Sequence, residues 1–181
     1  MHDAPIPSPS VNCAFDELVD VDKLLPNPRN PNQHPQAQIA LLAKIIAHQG
    51  WRSPIVVSNR SGFIVAGHGR HQAALALGLT QVPVDRQDFA SEADEWAHLI
   101  ADNRLTELAE VDEAGLRDLL GELKATDLDM ELTGFDSEAL DKALSELGPV
   151  DPPDEFPEVD ENLPTSYVCP RCKYAWSGKS A

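Results

Sequence analysis

Between residues 23 and 84 the sequence has no aspartate or glutamate, although the whole chain of 181 residues carries 30 of them against 14 lysines and arginines, a formal charge of −16. That gap excludes a metal centre of clustered carboxylates in this stretch, the kind a metal-dependent nuclease needs. The stretch holds six Lys and Arg and four His instead, whereas residues 111–164 hold 17 acids against three bases. The chain is therefore a mildly basic body tied to a strongly acidic C-terminal third. Its net charge argues against a nucleic-acid backbone as partner. The acid-free stretch leaves two readings open, ordinary solubility or room for an anionic ligand.

Other scarcities narrow the class further. Aromatic residues make up only 6%, yet an apolar share of 42% suffices for a core. Three cysteines, an odd number with one C-x-x-C pair, do not make a disulfide framework. No run approaches the ~18 consecutive apolar residues of a membrane span. Nor does a basic region followed by an apolar run open the chain, as a secretory signal would. A soluble, cytoplasmic protein with no membrane partner is the expectation. Proline is rare in the middle: most of the fifteen fall at 5–9, 26–35 and 149–164, a pattern of flexible ends around a folded body.

Local patterning fills that body. Glu17-Leu18-Val19-Asp20-Val21 predicts a short strand. The box Leu25-Pro26-Asn27-Pro28-Arg29-Asn30-Pro31 must be an extended loop, since proline fixes φ and biases its predecessor away from helix. Ile39, Leu41, Leu42, Ile45 and Ile46 recur at helical spacing between Pro35 and Gly50. Two β-branched runs, Ile55-Val56-Val57 and Phe63-Ile64-Val65, flank the turn residues Asn59-Arg60-Ser61-Gly62 and predict a hairpin. A short strand Val82-Pro83-Val84 follows, and Ser91-Glu92-Ala93-Asp94 is a variant capping box opening a helix through Leu105. Amphipathic helices are expected at 113–123 and 136–147.

The chemistry-bearing feature is Gly67-His68-Gly69-Arg70, set between a strand and a helix that stops at Gly78. Glycines let the backbone approach a ligand closely. A helix N-terminus adds unpaired N–H donors and a positive dipole end, where an anion is stabilised. Arg70 can clamp phosphate oxygens with its fork, and His68 and His71 add donors. The competing reading is a plain tight turn with Arg70 as a surface side chain. The turn matches neither the P-loop nor the G-x-G-x-x-G pattern.

The order of these parts resembles the N-terminal domain of ParB partition proteins, whose superfamily includes sulfiredoxin. The resemblance rests on the Leu25 to Pro31 box, the Pro54-Ile55-Val56-Val57 strand, the Ile64-Val65-Ala66-Gly67-x-x-Arg70 box and the Leu77-Gly78-Leu79-x-x-Val82-Pro83-Val84 run. It implies an α+β fold, a small ParB/sulfiredoxin-like domain with a short mixed sheet and helices, followed by acidic helices and a flexible tail. It also implies CTP or ATP with magnesium as ligand, Gly67, His68, Gly69, Arg70 and His71 supplying the phosphate turn. A second family box, Glu-Asn-x-x-Arg, is similar to Asp102-Asn103-Arg104-Leu105-Thr106, which adds Asp102, Asn103 and Arg104. His68 stands where ParB has Glu, and Gly69 where it has Arg. His68 also occupies the position of the sulfiredoxin cysteine, so thiol-based sulfinate reduction is rejected.

The continuation through Asp102-Asn103-Arg104 and Leu132-Thr133-Gly134-Phe135-Asp136 resembles ParB-like modules of phages and mobile elements, often found beside DNA methyltransferases. That implies DNA metabolism, partition or modification, with DNA bound indirectly or weakly, a protein partner such as a methyltransferase, and a homodimer as further expectations. An NTPase, an ATP-dependent kinase or nuclease, and an interaction adaptor with a vestigial site are the alternatives.

The tail, Cys169-Pro170-Arg171-Cys172, resembles the first knuckle of a zinc ribbon without its second pair. It is a degenerate knuckle without metal, a zinc site completed by a second chain or partner, or one completed in cis. The expected division is a disordered N-terminus (1–14), a ParB-like domain (15–110), an acidic helical extension (111–148), an acidic Pro-rich linker (149–166) and the half-knuckle (167–181).

Overall fold

A computed structural model describes residues 9–145 and 167–176. The chain divides into two units, residues 1–146 and 147–181. In the first, strand β1 (Glu17–Asp20) runs into a 3-10 turn at Val21–Lys23, and helix α1 spans Gln36–Gln49. Strands β2 (Ile55–Ser58) and β3 (Ile64–Ala66) form the expected hairpin, and helix α2 (His68–Ala76) follows. Strand β4 (Gln81–Gln87) and helix α3 (Glu92–Glu107) complete the body. Helices α4 (Glu113–Lys124) and α5 (Ser137–Ser145) flank a 3-10 turn at Met130–Thr133. No described helix is long and apolar enough to cross a membrane.

The four strands lie in the order β1-β4-β2-β3, with β4 parallel to β2 and the other pairs antiparallel, so the fold is α+β with a mixed sheet. A parallel pair needs a crossover, and here β3 and α2 supply it. Ile55, Val57, Ile64, Val82 and Val84 are sealed from solvent, with Ile39, Ala43 and Ile46 of α1 and Ala73 and Ala74 of α2 in the same core. β4 is longer than Val82-Pro83-Val84 suggests. Neighbours on both sides carry its polar end: Asp85, Arg86 and Gln87 pair with β2, and the Asp16 carboxylate accepts the Arg86 N–H at 2.7 Å.

Part of the segment expected as a disordered N-terminus, 1–14, is ordered by pairing. Residues 1–8 lie outside the described residues, but Ser10 and Asn12 pair with Trp51, whose N–H donates to Ser10 O at 2.7 Å while its carbonyl accepts the Asn12 N–H at 2.8 Å. Gly50 makes this approach feasible. It sits at φ 75, ψ −173, a region open essentially to glycine alone, and a Cβ there would stand 2.3 Å from the Ser10 carbonyl oxygen. Gly50→Ala is expected to cost about 2 kcal/mol and to expose the Asn12 and Trp51 amides, measured by denaturant unfolding and amide hydrogen exchange.

The helix ends follow local chemistry. The Ser91 hydroxyl accepts the Asp94 N–H at 3.1 Å, as its capping box predicts. Asp112 caps α4 through the Ala114 and Gly115 N–H groups. A buried polar clamp joins α3 to the sheet: Glu95, 1% exposed, accepts the Ser58 hydroxyl on one carboxylate oxygen and the Ser61 hydroxyl on the other, both at 2.7 Å. The second unit's described part is a hairpin, β5 (Tyr167–Val168) against β6 (Ala175–Trp176). The expected linker at 149–166 lies outside the described residues.

Candidate functional site

The glycine turn joins the end of β3 to α2. Gly67 stands at φ 93 in the N-cap position with no side-chain cap, and the first helical bond runs from the His71 N–H to its carbonyl at 3.0 Å. The N–H groups of the turn before it therefore have no acceptor within the helix. Arg70 folds back over this turn, so that a Cβ on Gly67 would lie 2.9 Å from its Nη2. Nη2 donates to the Pro54 carbonyl at 3.0 Å, while Nε is buried without a partner. Burial pushes the guanidinium below its ordinary value, opposed by the charges of Asp102 and Cys13. A cation held this way, with a donor unspent, invites an anion.

Such an anion has a place to sit. A cleft of about 180 Å³ is lined by the turn from Val65 to Arg70, by Asp102 and Asn103 of α3, and by Asn30, Asn32 and His34 from the proline-rich loop. Backbone bonds pin that loop. The Asn27 N–H donates to His68 Nε2 at 3.2 Å, the Asn27 carboxamide accepts the Arg29 N–H at 2.9 Å, and the Ile64 N–H donates to Leu25 O at 2.9 Å. On its other side Arg29 lies over the Trp96 ring of α3, 4.1 Å from the centroid. Gly69 lies beside His34 and beside Leu42 of α1, where a Cβ would stand 3.4 Å from both side chains.

Of the residues singled out from sequence, Gly67, His68, Gly69, Arg70, Asp102 and Asn103 meet at the cleft. His71 and Arg104 do not. His71 is buried and donates from Nε2 to the Val21 carbonyl at 3.0 Å, bracing α2 against the 3-10 turn. Arg104 is exposed and pairs with Glu107 at 2.8 Å. His68 lines the cleft but is no cation. Its Nε2 accepts the Asn27 N–H, and burial, then the charges of His34 and His71, lower it to about 4. Asn30, Asn32 and His34 are not among the residues singled out from sequence; the only signal was their polar character in the proline-rich stretch 26–35. Cys13 packs half-buried against the core, and burial pushes its thiol up, the wrong direction for a nucleophile.

His68 gives the fold a pH dependence. Because its folded value is about 4 and an unfolded histidine titrates near 6.5, the unfolded chain takes up the proton first. The stability His68 contributes is complete above about 6.5 and is lost as pH falls toward 4. The expected loss is steepest near pH 5, about 1 kcal/mol per pH unit, and His68→Gln, which keeps an acceptor for the Asn27 N–H, should flatten it. Urea midpoints of both proteins between pH 7 and 4 measure this.

Comparison with known proteins bears on this arrangement. Residues 10–104 match the ParB N-terminal domain, a match that begins where the chain starts pairing with Trp51. Residues 114–167, the acidic helices and linker whose Leu132 to Asp136 run resembles methyltransferase-associated ParB-like modules, match the ParB-methyltransferase HTH domain. The chain is 38% identical over 64 residues to the ParB-like nuclease domain-containing protein YnaK of Escherichia coli K12, 35% of this chain and 72% of that one. It is 29% identical over 99 residues to a probable chromosome-partitioning protein ParB of Rickettsia typhi, 54% of this chain and 34% of that protein's length. In fold it is similar to the C-terminally truncated chromosome-partitioning protein ParB from Caulobacter crescentus complexed with CTP-gamma-S. That match has a TM-score of 0.50 and 22% identity, and covers 71% of this chain and 69% of the other.

Proposed function

This chain belongs to the ParB N-terminal domain family, and on that footing we propose that its cleft binds the phosphates of a nucleoside triphosphate with magnesium, CTP first and ATP second. The observation that carries the reading is Arg70, turned back over Gly67 with its Nε buried and unpartnered at the cleft wall. The turn's free N–H groups and the Arg70 fork would hold phosphate oxygens. Asn103 and Asn32 border the same space. Asp102 is the carboxylate at the cleft, and among the described residues no group of three or more His, Cys, Asp or Glu is placed to hold a metal. Magnesium would therefore be shared between Asp102 and the phosphates, the usual arrangement for an ion that keeps most of its water.

The module acts in DNA metabolism, in partition or DNA modification, as a cytoplasmic component of a phage or mobile element that works beside a partner such as a DNA methyltransferase. The fold relative complexed with CTP-gamma-S and the methyltransferase-type HTH match both support this reading. The 17 acids between residues 111 and 164 make direct DNA contact by that part weak or indirect. Isothermal titration with CTP, ATP and GTP, each with magnesium, tests the proposal; a heat of binding for one of them is expected, and none for all three overturns it. A nuclease reading requires cleavage of single- or double-stranded DNA under magnesium or manganese, which the lone Asp102 does not favour.

A further inference from the structure

Residues 167–176 fold back on themselves around two thiols. β5 and β6 pair Tyr167 with Trp176 and Val168 with Ala175, the Cys169 N–H donates to Tyr174 O at 2.8 Å, and the Lys173 N–H donates to Cys169 O at 2.9 Å. Lys173 turns the chain at φ 64, the one described non-glycine residue with positive φ. This winds the backbone so that N–H groups point at sulfur. Cys169 Sγ faces the N–H groups of Arg171 and Cys172 and the Cys172 thiol. Cys172 is exposed and Cys169 partly so, and neither is in a disulfide. A pair of thiols presented at the surface by a tight turn is half of a tetrahedral metal site.

We propose that Cys169 and Cys172 bind a zinc ion shared with the same pair of a second copy of this chain, a four-thiolate site on a two-fold axis. A closed structural zinc site takes four ligands, and zinc prefers thiolates at tetrahedral positions. Among the described residues no group of three or more potential ligands is gathered at one place, so the described part of one chain supplies two of the four. The third cysteine, Cys13, is packed against the core of the first unit. An identical second pair supplies the missing ligands, and a two-fold axis through the metal is the simplest closed symmetry. Charge favours it as well: four thiolates leave zinc with a net negative charge, and Arg171 and Lys173 from each copy stand beside it, with no acid between residues 167 and 176.

The test uses the full chain in a phosphine reductant, titrated with Zn2+ and, separately, with Co2+ as a spectroscopic probe. Binding should saturate at about 0.5 metal per chain. The cobalt form should show thiolate charge-transfer bands and the intense visible bands of a tetrahedral site, and sedimentation should show a dimer that a chelator returns to monomer. Cys169→Ser and Cys172→Ser should each lose metal and dimer together, with circular dichroism unchanged, while Cys13→Ser keeps both. One metal per chain in a monomer, no metal retained after dialysis, or metal and dimer surviving in Cys172→Ser would each overturn the proposal.

Discussion

Arg70→Ala is expected to weaken nucleotide binding by about 100- to 1,000-fold. Two or more charge-assisted bonds to phosphate disappear with the guanidinium, and no other lysine or arginine lines the cleft to replace them. The effect on folding should be small, because Arg70 makes a single hydrogen bond in the described structure, to the Pro54 carbonyl. Unfolding midpoints of the variant and the parent should therefore differ little while titration heats differ greatly. Arg70→Lys is a sharper control. A lysine keeps the charge but presents one point donor in place of a fork, so partial recovery of affinity would assign the loss to geometry as well as charge. Asp102→Asn separates the metal's share: it should weaken binding with magnesium present and change it little with magnesium removed.

Glu95→Ala should produce the largest loss of stability, about 3 kcal/mol. Ser58 is fully buried and Ser61 partly so, and both hydroxyls donate to this one carboxylate. Removing it leaves two donors without acceptors and opens a cavity between α3 and the β2–β3 turn. The same serines also organise the hairpin: the Ser58 oxygen accepts the Arg60 N–H at 3.1 Å, and the Ser61 oxygen accepts the Phe63 N–H at 3.2 Å. Glu95→Gln keeps the shape and one acceptor oxygen and should cost about 1 kcal/mol. A double-mutant cycle with Ser61→Ala, read by urea unfolding, should give a coupling of about 1 kcal/mol.

The parts legible from sequence were those fixed by neighbours in the chain. The hairpin turn, the Ser91 cap and the α1 boundary between Pro35 and Gly50 depend on residues a few positions apart. Two of the residues singled out lie away from the cleft for different reasons. Arg104 is turned by about 200° from Asp102 on α3 and pairs with Glu107 at the surface, whereas His71, one turn on from His68 on the same side of α2, is taken up by the Val21 carbonyl. The direction of Arg104 was derivable once the helix was drawn. Asn30, Asn32 and His34 were not, because the loop that carries them is placed by a bond from Asn27 to His68, 41 residues on. The extent of β4 was hidden for a similar reason: polar Asp85-Arg86-Gln87 is a strand only because β2 lies beside it.

The route of the chain through the sheet sets an order for its synthesis. All four strands are in hand once Gln87 has been made, so a nascent chain can complete its sheet and most of its core at that point. Yet α3 brings both Glu95, which locks the hairpin from outside, and Asp102 and Asn103, which wall the cleft. A ribosome-bound intermediate ending between β4 and α3 would hold a closed core with Ser58 and Ser61 unsatisfied and Arg70 facing water. The cleft is thus completed after the sheet, within the span of a single helix, and on the proposed function arrested chains of increasing length should gain full nucleotide affinity only once residue 103 has left the exit tunnel.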